Sequence, residues 1–496
     1  MSHRLLVKVF SPILFALCTL PARQMQGQQF VDQGWTSQDR QKFYTTTQGS
    51  QMMPMDWFMT LEQSNGDPFT KDLTRYGFLP SSVNPNGLPV GFTLDSQAGK
   101  WAGLTCAACH TNQIEYNGKT WQLDGGPTDA DLFTFLAQLG EAVQGTLTDS
   151  ARFGRFATKV GATSPTAQQA LRNELTRFSA YFSTFLAAAT PPYPWGPARA
   201  DAQGLIFNRA SAIDLSDLAV WEWFRSLEQN NRQPNAPVSY PYLWGVSRLS
   251  AVQWNGEAPN KKCLERLGRN VVEVLGAFAR IQLTPSDFGY IATANAANQV
   301  MLEETLIKKL KSPLWADTNL PPIDSTKAAA GKKLYGQYCT SCHTVIDRNS
   351  GSSVTVNLTP LAQIGTDPLM ATNVACRTAD TGVLAGSKQP PLFGTQLKAT
   401  DYALNIAGNA GAGVIVRDLD DIPLSCKLDI LAASEAQAKT GAATGAKKAT
   451  TTQTKAAAAQ KVPRVYGSAI GTGECVTSLE QYIGRPLDGI WASPPY

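Results

Sequence analysis

The chain has 496 residues, 43% of them hydrophobic, which gives room for two or three domains with proper cores. Its 43 basic and 39 acidic residues leave a formal charge of +4, too mild an excess to point to a nucleic-acid or anionic-membrane partner. Only three histidines accompany nine cysteines, so imidazole chemistry is confined to very few positions.

Val9 to Leu20 is an apolar run preceded by Arg4 and Lys8, and it is too short to span a bilayer. It reads as a secretory signal peptide, residues 1–22, cleaved near Ala22. Cys18 suggests a lipoprotein anchor, but Leu17 is bulky where such signals carry a small residue. No other run is apolar and long enough to cross a membrane. The expected location is therefore periplasmic or secreted.

Ser37 is the expected N-cap of a short helix through Tyr44. Met52 to Leu61, dense in Met and aromatics, reads as a helix facing a core, with a Met ligand as the alternative. Pro80 to Gly91 is a loop by composition. It leads to Cys106-Ala107-Ala108-Cys109-His110. Gln113–Tyr116 and Lys119–Leu123 then flank Asn117-Gly118, a strong two-residue hairpin signal. After Asp124-Gly125-Gly126-Pro127, Thr128 is expected to cap a helix carrying Leu132, Phe135, Leu136 and Leu139.

Further helices are expected over Thr166–Ala188, Leu215–Leu227, Leu264–Phe278 and Gln299–Leu310. The Pro-rich stretch Ser312 to Asp324 reads as a boundary, dividing an N-terminal domain, 23–312, from a C-terminal one, 313–496. Ser325 or Thr326 opens a helix through Tyr338 that delivers Cys339-Thr340-Ser341-Cys342-His343. Residues 432–461 are nearly all Ala, Lys, Thr, Gln and Gly. They cannot bury a core and read as an insert.

The two C-x-x-C-H stretches carry the chemistry. Paired sulfurs three residues apart can add to the two vinyl groups of one porphyrin, and the adjoining imidazole then lies beneath the iron. A redox C-x-x-C pair or half a zinc site accounts for neither the following His nor the repetition. The implied cofactors are two covalently attached haem c groups, held by Cys106 and Cys109 and by Cys339 and Cys342. His110 and His343 are the axial ligands. The four propionates would turn the mature chain, less Arg4 and Lys8, negative.

His3 leaves with the signal, so neither iron can take a second imidazole from this chain. A sixth ligand must be Met, Lys, Tyr, Asn, the amino terminus or water. Met370, the only Met after the second motif, is the candidate for the second iron. Cys263, Cys376, Cys426 and Cys475 remain, either as disulfides in one of three connectivities or as buried thiols. The fold expected from these elements is mainly α: two cytochrome c-like helical haem domains with long loops and a few short hairpins.

Leu104 to Thr111, Tyr116 and Asp124-Gly125-Gly126-Pro127 resemble the di-haem rubber-oxygenase-related cytochromes. So do Trp223 to Glu228 and Asn235 to Pro241. That group belongs with the bacterial di-haem cytochrome c peroxidases and the methylamine-utilisation di-haem enzyme. The resemblance spans about Trp35 to Tyr496 apart from the insert. It implies an inter-haem Trp within a Trp-Asp-Gly motif, matched here by Trp254-Asn255-Gly256 with Asn in place of Asp. Trp254 is therefore the expected electron relay, with Trp244 as the alternative. Similar proteins continue with Leu-His-Asn-Gly where this chain reaches Tyr496. Either the sequence is truncated, leaving its second domain incomplete, or the second haem is ligated differently.

Three functions follow. The resemblance implies O₂ activation at the first haem, with oxidative cleavage of an unidentified apolar substrate and the second haem in electron transfer. A peroxidase reducing H₂O₂ with electrons from a small donor cytochrome is the second. A pure electron carrier is the third. With no imidazole to spare, acid–base chemistry falls to carboxylates.

Overall fold

The computed structural model describes residues 29–97, 99–211, 228–284, 287–389, 396–432 and 475–493. The stretch expected to be a signal peptide, the helix expected over Leu215–Leu227, nearly all of the stretch expected to be an insert, and Tyr496 lie outside them.

Thr36, one residue before the expected cap, accepts from Asp39 N in a reciprocal capping box and starts the helix Ser37–Thr45. The Asn-Gly hairpin forms as expected. Asn117 (φ 50°) and Gly118 (φ 71°) are both left-handed, the requirement of a tight primed turn joining Thr111–Tyr116 to Lys119–Asp124. Gln29–Phe30 adds a parallel third strand to this hairpin. A second three-stranded sheet, Met53–Pro54, Trp101–Leu104 and Phe92–Asp95, runs straight into the first motif. The first motif thus sits between two small sheets.

Ser164 caps the long helix Pro165–Ala189, with Pro at its first position. Asp131, not Thr128, caps Leu132–Thr148, whose Phe135, Leu136, Leu139 and Val143 are buried. The expected helix over Gln299–Leu310 breaks up. Ala296–Met301 is α-helical, Leu302–Leu306 widens into a π turn, and Ile307–Lys309 tightens to 3₁₀. Met52–Leu61 is a helix only from Met55, and its buried residues join the core as the non-ligand reading requires.

The expectation of a mainly α chain is overturned. Six small sheets stand among the helices of the described residues, and the architecture is mixed. Most of the strands are two to four residues long. Such segments are too short to show the alternation that reveals a strand.

Two hydrophobic cores hold the elements together, and both draw residues from either side of Ser312–Asp324. In the larger, Ala403–Arg417 packs against Ala202–Ser211 and Cys263–Gly276. Its small residues permit this: a Cβ on Gly411 would lie 2.7 Å from Val272. Two disulfides, Cys263–Cys426 and Cys376–Cys475, select one of the three connectivities. Cys426 and Cys475 flank the insert, so each side of it is stapled to the folded body.

Candidate functional site

Thr105 caps a single helical turn, Cys106–Cys109, by accepting from Ala107 N at 3.2 Å. His110 follows, its Nδ1 lying 2.7 Å from the Pro241 carbonyl. A carbonyl only accepts, so Nδ1 carries the proton and the Nε2 lone pair is left for a metal. Burial holds His110 down to about 4, so the ring is neutral and competent as a ligand.

The second motif repeats this arrangement. The helix Ser325–Tyr338, capped by Asp324, ends at Cys339, and His343 Nδ1 lies 2.7 Å from the Arg485 carbonyl. Each motif is also closed by a glycine. A Cβ on Gly91 would come within 2.0 Å of Ala108 N, and one on Gly484 within 2.1 Å of the Cys342 carbonyl oxygen. The surroundings differ. The first motif is enclosed, whereas the helix leading to the second buries none of its residues and leaves Leu334 and Tyr338 exposed.

All four motif cysteines are free thiols, while the other four described cysteines are paired. Burial pushes the Cys106 and Cys109 thiols up to about 12, so with no group attached they are neutral. Both border a cavity of about 230 Å³ together with His110, Tyr240, Trp254 and Arg485. Leu104, Leu136, Phe185, Ile206 and Val252 give it a largely apolar wall. Two sulfurs and a neutral imidazole bordering one apolar cavity form a donor set that fits a covalently held haem. A third sulfur group, Cys376 and Cys475 near Glu480, has both thiols consumed in a disulfide and cannot ligate a metal.

The structure brings the two sites together through residues that sequence reasoning missed. Tyr242 follows Pro241, and its carbonyl accepts from Arg485 Nη2 at 2.7 Å. Its hydroxyl donates to the Pro486 carbonyl. Trp254 is partly buried in the cavity wall, donating to the Ser239 carbonyl at 3.2 Å, with the Arg485 guanidinium carbon 5.9 Å from its ring. Trp244 stacks on Tyr242 at 4.7 Å and donates to the Asp488 carbonyl. Met370, expected at the second iron, instead borders the cavity of the first motif.

Carboxylates stand at the same cavity. Glu273 and Glu303 border the large cavity, and Arg269 Nη2 lies 2.6 Å from Glu303 Oε2. The signal for Glu273 was present: it shares Cys263–Gly276 with the buried Arg266 and Arg269, whereas Glu303 lies in the π turn Leu302–Leu306. Charge on the inward side of an amphipathic helix marks a site or a buried ion pair.

No protein-family model matches the chain. It is similar to an uncharacterized protein, y4iJ, of Sinorhizobium fredii (strain NBRC 101917 / NGR234). The two are 26% identical over 525 aligned positions, covering 94% of this chain and 78% of that protein. Among the described residues no helix is long and apolar enough to cross a membrane.

Proposed function

We propose that the chain is an exported di-haem c-type oxidoreductase, with haem held by Cys106, Cys109 and His110 and by Cys339, Cys342 and His343. The observation that carries this reading is the repeated geometry. Two C-x-x-C-H turns each present free thiols and an imidazole whose Nδ1–H is fixed on a backbone carbonyl at 2.7 Å. A haem in each site supplies an iron that exchanges electrons and, where a coordination position is open, binds O₂ or peroxide.

The first site has the features of a reaction centre. Its walls are largely apolar, and Arg485 and Arg269 place positive charge where anionic groups of a haem or a reduced oxygen species would be stabilised. The apolar lining favours O₂-dependent oxidation of an apolar substrate there, with the second site in electron transfer. Trp254 and Trp244 both lie beside the Tyr242–Arg485 junction and remain the proposed relays. The two disulfides support an oxidising, periplasmic or extracellular location.

A second reading, reduction of H₂O₂ with a small donor cytochrome, is favoured by the carboxylates at the same cavity, because O–O cleavage consumes protons. The experiment that separates the readings uses the haem-loaded protein. Cleavage of an isoprenoid with O₂ and no peroxide supports the oxygenase. Turnover of peroxide with a reduced donor cytochrome supports the peroxidase. Neither activity, with no spectral response to cyanide or CO, would leave a carrier.

A further inference from the structure

Behind the large cavity lies a smaller one of about 30 Å³, ample for a water molecule. The two share Gln203, Ile206, Gln253, Arg269 and Glu273, whereas Glu257 borders only the smaller. Glu257 is 3% exposed. Its Oε1 accepts from Gln203 Nε2, and its Oε2 has no hydrogen-bond partner among the described residues. A buried carboxylate oxygen without a donor is costly when ionised. Protonated, it can instead donate into the cavity.

The charges around it favour the protonated form. Arg269 lies 2.6 Å from Glu303 and 3.8 Å from Glu273, while Arg266 is engaged by Glu304 at 2.6 Å. The other walls bring no charge: Ala403–Arg417 contributes Leu404, Ala407 and Gly408, and Ala202–Ser211 contributes Gln203, Ile206 and Phe207. Arg269 is thus taken up by Glu303 and Glu273, and Glu257, beside Glu273 on the same small cavity, has no ion-pair partner among the described residues, so the two do not readily ionise together. Burial, with Glu273 adding to it, pushes Glu257 up to about 8. Burial also raises Glu273, against the pull of Arg269.

We propose that Glu257 is a proton store for the large cavity, passing its proton through water in the smaller cavity to Glu273 on the shared wall. The Glu257 O–H bond breaks as the water takes that proton, and the water gives one of its own to the Glu273 carboxylate. The pair carries a single negative charge before and after. The inference rests on the large cavity being the reaction site and, for delivery, on the peroxide-reducing reading of that site. The process it serves is reductive O–O cleavage: hydrogen peroxide, two electrons from a reduced donor cytochrome and two protons give two waters.

Infrared difference spectra of the full chain across pH about 8 test the store. The wild type should lose a buried carboxylic-acid carbonyl band as pH rises. Glu257→Gln, which keeps the Gln203 bond, should lack that band, and Glu273→Gln should retain it. A band that survives in Glu257→Gln overturns the store. Delivery is tested by peroxide reduction in the haem-loaded protein. Glu257→Gln should lower kcat by roughly a hundredfold at unchanged KM, with a larger solvent deuterium isotope effect. An unchanged kcat overturns delivery. A chain that shows the band but binds no haem keeps the store and sinks the haem reading instead.

Discussion

Arg485 Nη2 donates to the Tyr242 carbonyl at 2.7 Å while its guanidinium carbon lies 4.3 Å from the centre of the Tyr242 ring, so one contact ties together the loops that orient both motif histidines. The Pro241 carbonyl, next to Tyr242, holds His110, and the Arg485 carbonyl holds His343. The clasp makes the two imidazoles mechanically interdependent.

Replacing Arg485 by Met should therefore shift the reduction potentials of both haems, not of the second alone. It leaves the buried Tyr242 carbonyl without this donor and should lower stability by about 2 kcal/mol. Tyr242→Phe removes only the hydroxyl bond to Pro486, at about 1 kcal/mol, and should disturb both potentials less. Potentiometric titration with separate spectral signals for each haem checks this. A shift confined to one centre in Arg485→Met contradicts the shared clasp.

The glycines that close the motifs should be separable. Gly91→Ala drives a methyl into the Cys106–Cys109 turn, at a backbone angle (φ 79°) that L side chains rarely adopt. Gly484→Ala meets the Cys342 carbonyl instead. Each variant should lose haem at its own motif and keep the other. Peptide mapping of haem-bearing fragments reads this out, and equal loss at both motifs would count against it.

Thiol accounting gives an independent check. Alkylation of the unfolded, unreduced mature chain should label none of the eight described cysteines if four hold haem and four form disulfides. Four labelled cysteines would mean empty motifs. Cys426→Ser opens the 163-residue link to Cys263 and should lower stability by roughly 2–4 kcal/mol in urea unfolding.

Glu257 predicts a pH dependence of stability. Its carboxyl titrates at 4.5 when free and at about 8 in the folded chain, so the folded state holds the proton more tightly. That stabilisation is full below 4.5 and is lost as pH rises through about 8, by at most about 5 kcal/mol. Urea midpoints for Glu257→Gln should be flatter with pH over this window. A parallel decline in both proteins contradicts the assignment.

How much of this was visible in the chain depends on the range of the interaction. The hairpin at Asn117-Gly118 and the helix into Cys339 were legible because local φ preference and capping specify them. The Trp101–Leu104 sheet was not, since strands of two to four residues leave no periodic trace. Thiol pairs and imidazoles were legible as motifs. Their orienting carbonyls, 131 and 142 residues further on, carry no side-chain signature at all. Glu273 stood on Cys263–Gly276, where a helical wheel places it but cannot say what it faces, whereas Glu257 and Glu303 lie outside that helix. Met370 follows the second motif in sequence, yet its helix borders the first cavity, a placement that chain order does not show.

The central claim is two haems on one chain, and haem stoichiometry tests it most directly. The full chain, produced with export and cytochrome c maturation, should carry two haems by pyridine haemochrome assay and intact mass. The Cys106→Ser/Cys109→Ser variant should retain one haem, at Cys339 and Cys342. The Cys339→Ser/Cys342→Ser variant should retain one at Cys106 and Cys109. A folded full-length chain that matures without covalent haem would contradict the account.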